Sequence, residues 1–197
     1  MLGVHALCAL SVRQMPLLLI TMCASAGEAA LSFHDVPADG NCLFSSVALS
    51  AALTDGIPEH AHAPAVQEAS KRLRSEALDC LCPSGVPDPE LTLGGLPASL
   101  LIEPLNGEDE AGYCQRLRRS GQWGSTAEIL ALTRVLKRPI NVYTQFGLET
   151  YGSDESANSA RAPLSIHFHQ NHYRAVTTPS SEHERDDDAK DANKSEM

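Results

Sequence analysis

Apolar residues recur at a spacing of three or four in several parts of the chain, a pattern typical of helices that bury one face. In the stretch from Cys42 to Leu53, Leu43, Val47 and Ala51 fall on one side. Similar patterns predict three more helices, over about 65–81, 113–121 and 125–137. Ser125 and Glu128 have the spacing of a capping box, which marks the start of the last of these helices.

Alternation of apolar and polar residues indicates strands in the second half of the sequence. It covers three short segments, 140–144, 164–168 and 172–176. Gln170 and Asn171 separate the last two segments and predict a turn that joins them into a hairpin. Helices followed by a strand and a hairpin predict an α+β fold, in which a small, largely antiparallel sheet is packed between helices.

The composition along the chain predicts one folded domain with two flanking segments. We expect the domain at residues 31–178, because both flanks change character there. Residues 179–197 carry seven acidic and three basic side chains and are expected to form a disordered acidic tail. Residues 83–110 are rich in proline and glycine and predict long loops with at most a short helix.

The first 30 residues form a leader with two interpretations. An apolar stretch from Met15 to Cys23 follows Arg13, and Ala24-Ser25-Ala26 then resembles a small-residue cleavage site. This arrangement fits a secretory signal peptide, and it also fits an N-terminal helix. The compartment therefore depends on whether the leader is cleaved.

Charge and cysteine content narrow the classes of function. Of the 197 residues, 15 are basic and 25 acidic, and the net charge of -10 argues against nucleic acid as a partner. No apolar run reaches the roughly 18 to 20 residues of a membrane span. The six cysteines contain no C-x-x-C pair and no dense disulfide framework, so we expect most of them to be free thiols: Cys8, Cys23, Cys42, Cys80, Cys82 and Cys114.

Clusters of basic and histidine side chains are interpreted as surface residues rather than as binding sites. The basic residues at 71–74, which include Arg74, and those at 116–119 predict solvated helix faces. His167 and His169 lie two apart on the polar side of a strand, but a structural zinc site takes four ligands and no cysteine pair lies near. We therefore expect no metal and no cofactor.

The segment Asp39-Gly40-Asn41-Cys42 carries the strongest chemical signal. It places a cysteine in the first turn of a helix, directly after a glycine that allows a sharp backbone turn. The positive end of the helix dipole favours the thiolate, and free amides near the helix start can stabilise an oxyanion. Asp39 or Asn41 can cap the helix or hold the loop in shape.

A nucleophilic cysteine also needs a base, and histidine exchanges protons most readily near neutral pH. His172 follows a turn at the start of a strand, where it could be presented to a neighbouring loop. Spacing alone does not distinguish this role from that of an exposed turn histidine.

Three motifs together resemble one known family. They are Asp39-Gly-Asn-Cys-Leu-Phe44, Trp123-Gly-Ser-Thr-Ala-Glu128 and His172-Tyr173. In order and spacing, over about residues 33–177, they resemble the OTU (ovarian tumour) family of papain-like cysteine proteases. Members of that family remove ubiquitin from proteins or from other ubiquitins. The resemblance implies a papain-like fold and a thiol-dependent ubiquitinyl hydrolase.

The resemblance also implies roles for individual residues. Cys42 would be the nucleophile and His172 the general base, with Asp39 beside the nucleophile as the third catalytic residue. Gly40 and Asn41 would complete an oxyanion loop, in which the amides of residues 39–42 stabilise the tetrahedral intermediate. Three further residues would support the site, Tyr173 beneath the histidine and Trp123 with Gly124 at the substrate groove.

Two positions depart from the family pattern. The family usually has Asn or Asp two residues after the histidine, to orient the imidazole, and this chain has Arg174. An arginine cannot accept a hydrogen bond from the imidazole N–H. Another residue must therefore orient the imidazole, or no residue does so. Asp39 is the first candidate, and Asn171 and Asp35 are weaker ones. The second departure is Ser125 in place of a glycine, which should cost little because serine caps helices well.

The resulting expectation is a deubiquitinase whose partners are ubiquitin or ubiquitinated proteins. Arg174 motivates an alternative, an OTU-like ubiquitin-binding or scaffold protein with impaired catalysis, and another ubiquitin-like tail is a third option. Ubiquitin chemistry and a free catalytic thiol suggest the cytoplasm or nucleus, whereas a cleaved signal peptide at residues 1–26 would imply secretion. Oligomeric state and chain-linkage preference stay open.

Overall fold

A computed structural model describes residues 31–57, 62–152 and 161–178 of the chain. It contains five helices in these ranges: α1 (Cys42–Thr54), α2 (His62–Leu81), α3 (Ala98–Leu101), α4 (Glu110–Leu117) and α5 (Thr126–Leu136). The seven strands are β1 (Ser32–His34), β2 (Thr92–Leu93), β3 (Leu96–Pro97), β4 (Ile140–Thr144), β5 (Gly147–Tyr151), β6 (Leu164–His169) and β7 (His172–Thr177). The predicted leader and tail lie outside the described residues.

The main sheet has five strands in the order β1-β7-β6-β4-β5. Strands β4 and β6 are parallel, and every other neighbouring pair in this sheet is antiparallel. Strands β2 and β3 form a separate hairpin within the region predicted to be loops. The prediction of an α+β fold with a small, largely antiparallel sheet is therefore confirmed.

Helix α1 occupies the centre of the fold, between α2 and strands β6 and β7. Almost every side chain from Cys42 to Ala52 is buried, so α1 lacks the polar face of a surface helix. Its buried serines bond to the neighbouring elements. The hydroxyls of Ser45 and Ser70 lie 3.0 Å apart, and Ser165 N–H donates to Ser50 Oγ at 2.9 Å. The position of Cys42 is thus fixed by a fully packed helix.

Local sequence signals explain the ends of α5 and the turn before β7. The predicted capping box of Ser125 and Glu128 is present at the start of α5. The helix ends at Lys137, which adopts φ 50°, two residues before Pro139. Gln170 and Asn171 have φ of 48° and 60°, which suits the tight turn between two antiparallel strands. His172 follows directly as the first residue of β7.

The alternation pattern missed β1 and β5. Strand β5 is exposed along most of its length at the edge of the sheet, so it has no buried face to impose alternation. Strand β1 has three residues and is defined by its pairing with β7, from Ser32 opposite Thr177 to His34 opposite Ala175. Neither strand carries the periodic signal on which the sequence prediction depends.

Within the described ranges, no helix is long and apolar enough to cross a membrane.

The cysteine prediction is wrong for two residues. Cys82, one residue beyond α2, and Cys114 in α4 form a disulfide and are both fully buried. They are separated by 32 residues and belong to different parts of the fold, so no local spacing motif relates them. Among the described cysteines, Cys42 and Cys80 are free thiols.

We expect reduction of the Cys82–Cys114 disulfide to destabilise the domain. Closing a loop of this length stabilises the fold by about 3–4 kcal/mol, because it removes conformations from the unfolded chain. Urea denaturation with and without a phosphine reductant measures the difference. A Cys82→Ala/Cys114→Ala variant is the control and should be insensitive to the reductant. Equal stability of the reduced and oxidised wild type would contradict the assignment.

Candidate active site

Cys42 is the first residue of α1, and it follows a tightly turned loop. Gly40 adopts φ +79°, and its Cα lies against the backbone of Gly121. The Asp39 carboxylate accepts a hydrogen bond from Asn41 N–H at 2.9 Å and so holds the turn closed. The Cys42 side chain is almost buried, with 5% of the residue exposed.

Asn41 occupies the N-cap position of α1, yet its side chain does not cap the helix. Its Oδ1 instead accepts from Gly121 N–H at 3.0 Å, from the Ser120 hydroxyl at 3.3 Å and from Arg74 at 2.9 Å. No acceptor for the Cys42 backbone N–H lies among the described residues. That amide, at the positive end of the helix dipole, can donate to an oxyanion that forms on the Cys42 side of the loop.

The structure reduces the number of backbone amides that can donate to an oxyanion. The resemblance to the OTU family implied that the amides of residues 39–42 would act together. Because Asn41 N–H already donates to Asp39, it is not free for a second acceptor. Cys42 N–H has no acceptor among the described residues and stays available as a donor, while the Asp39 carboxylate bonds within the loop.

The sequence predicted that Arg74 lies on a solvated helix face. This prediction is wrong, because the residue is buried, with 5% of its surface exposed. Its guanidinium donates to the carbonyls of Leu117, Gly40 and Gln122 at 2.9, 3.0 and 2.7 Å, besides Asn41 Oδ1. It also lies 4.3 Å above the centre of the Phe44 ring. By contrast, Lys71 and Arg72 on the same helix are exposed and form loose ion pairs. Sequence periodicity could not separate Arg74 from its basic neighbours.

The basic run 116–119 likewise forms specific contacts. Arg116 pairs with Glu108 at 2.9 Å, in a site where both side chains are largely buried. Arg118 contacts Asp79 at 2.6 Å and donates to the carbonyls of Leu78 and Cys82. The contacts of Arg118 join the end of α4 to α2, whereas Arg116 bonds to the segment before α4. The prediction of a solvated face is wrong for the half-buried Arg116, while Arg118 and Arg119 are exposed as expected.

His172 and Tyr173 stand at the end of the sheet next to α1. Tyr173 points into the core, is 9% exposed, and its ring centre lies 4.7 Å from that of Phe168. Burial raises the pKa of Tyr173, and the charges of Tyr151 and Cys42 act in the same direction. Since side chains alternate along a strand, the half-buried His172 faces away from the core side occupied by Tyr173.

Arg174 shares the strand face of His172 and makes contacts of its own. Its guanidinium lies 3.1 Å from His167 Nδ1, 3.7 Å from an Asp35 carboxylate oxygen and 5.0 Å from the centre of the Phe33 ring. Burial and the charge of Arg174 lower the pKa of His167. Among the described residues, no side chain accepts a hydrogen bond from His172. Asp39 accepts from Asn41 N–H and Asp35 pairs loosely with Arg174, while Asn171 is an exposed turn residue.

Two clefts open beside the site. One, of about 590 Å³, is lined by the turn before His172, by Tyr173, by the start of α5 and by the tip of the β4–β5 hairpin. Phe146 at this tip is 87% exposed. The other, of about 660 Å³, lies on the opposite side of the loop and is lined by Asp35, Asp39, Asn41 and Lys71 among others. No group of side chains suited to a metal ion occurs within the described residues.

Trp123 and Gly124 lie in the loop between α4 and α5. Trp123 is 58% exposed, so it is available to a ligand. Gly124 packs against α1, where an added Cβ would lie 2.7 Å from Leu43 Cδ2. The loop thus presents an aromatic surface while its backbone rests on the helix that carries Cys42.

Glu128 is a buried acid behind the site. Its carboxylate accepts from Tyr113 O–H at 2.6 Å and from Ser125 N–H at 2.8 Å. Burial raises the pKa of Glu128, and these hydrogen bonds only partly oppose the effect. Burial likewise raises the pKa of Tyr113. Both groups therefore favour their neutral forms more strongly in the folded protein than in water.

Gly40→Ala should cost far more stability than Gly56→Ala. Both glycines have a positive φ, of +79° and +75°, but a Cβ on Gly40 would lie 2.0 Å from Gly121 O, whereas Gly56 has open space. We expect a loss of about 1 kcal/mol at Gly56 from the backbone alone and about 2–5 kcal/mol at Gly40. Chemical denaturation of the two variants measures this, and equal losses would exclude the close contact of the two loops.

The stability that Glu128 confers should depend on pH. Its pKa is higher in the folded state than in the unfolded chain, so the folded state binds the proton more tightly. The stability of the wild type relative to Glu128→Gln should be greatest below the ordinary pKa of 4.5. It should fall as the pH rises through the folded-state pKa. Denaturation curves of both proteins across this range measure the difference, and a constant difference would contradict burial of the acid.

The comparisons with known proteins agree with this geometry. A family model described as OTU-like cysteine protease matches residues 37–176. A curated relative, ubiquitin thioesterase otu2 from Schizosaccharomyces pombe, is 30% identical over 145 residues. The match covers 73% of this chain and 42% of the relative, so the chain spans less than half of the relative's length.

Solved structures with low sequence identity share the fold. An OTU domain in complex with ubiquitin has a TM-score of 0.52 at 19% identity, over 79% of this chain and 74% of that chain. The viral OTU domain protease from Taggert virus has a TM-score of 0.52 at 18% identity, over 76% of this chain and 81% of that chain. The fold and the family expected from the three motifs are thus confirmed. Because the family model matches most of its length, this chain belongs to the OTU-like cysteine protease family.

Proposed function

We propose that the chain is a ubiquitin-directed cysteine hydrolase, which cleaves isopeptide or peptide bonds after the C-terminus of ubiquitin. The observation that carries the proposal is Cys42, a free thiol at the uncapped start of α1 beside an open amide. The name of the curated relative, a ubiquitin thioesterase, and the ubiquitin-bound OTU domain support ubiquitin as the substrate.

The reaction proceeds in two acyl transfers. The Cys42 thiolate attacks the carbonyl carbon at the end of ubiquitin, and the resulting oxyanion accepts a hydrogen bond from Cys42 N–H. The C–N bond then breaks, and His172, which took its proton from the Cys42 thiol when the thiolate formed, gives that proton to the leaving amine. Water, deprotonated by His172, hydrolyses the thioester and releases ubiquitin with a free carboxylate and Cys42 as the thiol.

The cleft beside Tyr173 suits the extended tail of such a substrate. It leads from the turn before His172 to the hairpin tip, where Phe146 and Leu148 are exposed. Trp123 adds exposed aromatic surface in the loop before α5. Exposed apolar residues next to a cleft are typical of a protein-binding surface, and the site would contact the folded part of ubiquitin there.

Ubiquitin that carries an electrophile at its C-terminus should form a covalent adduct with Cys42. The thiolate attacks the electrophile only when the tail is bound in the active site. Intact mass and peptide mapping locate the adduct, and Cys42→Ala is the control that should give none. Absence of an adduct with correctly folded wild type would refute the catalytic proposal.

A second candidate function is an OTU-like ubiquitin-binding or scaffold protein with impaired catalysis. It is favoured by the lack of a described acceptor for the His172 imidazole and by Arg174, which binds His167 instead. An imidazole that is not oriented by a partner turns over slowly, because only some of its orientations place a nitrogen near the thiol.

Arg174→Asn distinguishes the two candidates. An asparagine two residues after His172 can accept the imidazole N–H, and we expect kcat to rise on the order of tenfold, a fraction of a general base's contribution. Hydrolysis of a fluorogenic ubiquitin amide measures kcat, with Arg161→Asn as the control at an exposed arginine. Unchanged turnover in an active wild type would show that His172 is already oriented. Ubiquitin binding by a wild type without turnover would favour the scaffold.

A further inference from the structure

The most extensive side-chain network in the active-site region surrounds Arg74 in α2. Its guanidinium donates to four oxygen atoms at 2.7 to 3.0 Å. These atoms belong to three segments: the loop before Cys42, the end of α4 at Leu117, and the loop between α4 and α5 at Gln122. No other described side chain of α2 contacts both loops through hydrogen bonds.

The charge of Arg74 is buried without an ion-pair partner among the described residues. All four hydrogen-bond acceptors are neutral oxygen atoms, and the remaining face of the guanidinium lies on Phe44. Burial lowers the pKa of Arg74, and the negative charges of Glu128, Asp39 and Cys42 oppose this effect. The guanidinium stays charged, since its ordinary pKa is above 12. A buried cation therefore lies beneath the loop that leads to Cys42.

Arg74 also determines the orientation of the peptide before Cys42. It donates to the Gly40 carbonyl oxygen at 3.0 Å, which belongs to the Gly40–Asn41 peptide, and to the side-chain oxygen Oδ1 of Asn41 at 2.9 Å. A glycine with a positive φ has few steric restraints of its own, so without Arg74 this peptide would be held only by the bond from Asn41 N–H to Asp39. The next peptide carries the Cys42 N–H, so a loosened Gly40–Asn41 peptide would leave the direction of that N–H less well defined.

Arg74 connects the second loop to the same point. It binds Gln122 O, while Gly121 N–H and the Ser120 hydroxyl donate to the asparagine that Arg74 also binds. The loop that carries Trp123 is therefore held in register with the loop that carries Cys42. Loss of the guanidinium would release both loops at once.

We propose that Arg74 is a positioning residue for acyl transfer at Cys42. Its hydrogen bonds hold the Gly40–Asn41 peptide so that the Cys42 N–H is directed at the oxyanion, and its positive charge favours the negative charge that develops there. This role rests on the proposed function for the identity of the reaction. It assigns a part in catalysis to a side chain that does not touch the substrate.

Two substitutions separate geometry from charge. Arg74→Lys keeps the positive charge but lacks the planar fork that reaches four acceptors, and Arg74→Gln also loses the charge. For Arg74→Lys we expect kcat to fall about 10²-fold, the effect of small misplacement of reacting groups, with KM within about threefold. Arg74→Gln should have a lower kcat than Arg74→Lys. Arg72→Gln is the matched control, because Arg72 lies on the same helix with its side chain 64% exposed, and it should retain the wild-type kcat.

A merely structural role would reduce the amount of folded enzyme, without a selective effect on the acyl-transfer step. Active-site titration and near-ultraviolet circular dichroism correct kcat for the folded fraction. Alkylation of Cys42 by iodoacetamide needs no oxyanion stabilisation, so its rate in Arg74→Lys should stay within about threefold of the wild type while kcat falls. Equal losses in alkylation and kcat, or a loss confined to KM, would overturn the proposal.

Hydrogen exchange tests the positioning without any substrate. In Arg74→Lys, the amides of peptides covering 38–44 and 118–124 should exchange faster than in the wild type, and those of the β6–β7 hairpin should not. If the wild type fails to hydrolyse ubiquitin, the proposed function fails, and the exchange result still decides whether Arg74 holds the two loops. Unchanged exchange in both peptides would overturn the inference.

Discussion

The active-site region depends on one buried guanidinium, which donates hydrogen bonds to backbone carbonyls of two closely packed loops. The segments around Gly40 and Gln122 approach so closely that Gly40 has no room for a side chain. At such an approach, carbonyl groups lose their water and need donors from elsewhere. Arg74 in α2 supplies these donors, and the Asn41 side chain accepts a hydrogen bond from the Gly121 N–H of the opposite loop. A planar side chain with five N–H groups suits this task, because several carbonyls converge on it from different directions.

The second constraint is the complete burial of α1. Because nearly every side chain of this helix is packed, Cys42 at its start is held in a defined position relative to the sheet. Its Asn41 N-cap leaves the first-turn amides uncapped, since the side chain bonds the other loop. Burial thus gives rigidity, while the loop network leaves the positive end of the dipole open to a developing charge. These two features together make the site suitable for acyl transfer.

The end of the sheet that carries His172 is held in place by a different set of contacts. Tyr173 is fixed in the core against Phe168, and the tight turn at Gln170 and Asn171 fixes the start of the strand. On the other face, Arg174 lies among Phe33, His167 and Asp35, where it forms a surface cluster rather than an orienting partner. The backbone of His172 is therefore fixed, while its ring has no hydrogen-bond acceptor among the described residues.

Local patterns determined much of this protein. The start of α1 at the cysteine loop, the capping box of α5 and the turn before His172 depend on neighbours in sequence, and the sequence indicated each of them. Complete burial of α1 was not indicated, because it depends on α2 and the sheet. Contacts between distant segments were beyond such patterns. Arg74 has the same local surroundings as the exposed Arg72, and only the arrival of two loops over α2 makes it a buried hub. Cys82 meets Cys114, and β5 finds its edge position, for the same reason. Periodicity records which face of an element is buried, whereas the partner that buries it is decided by the tertiary fold.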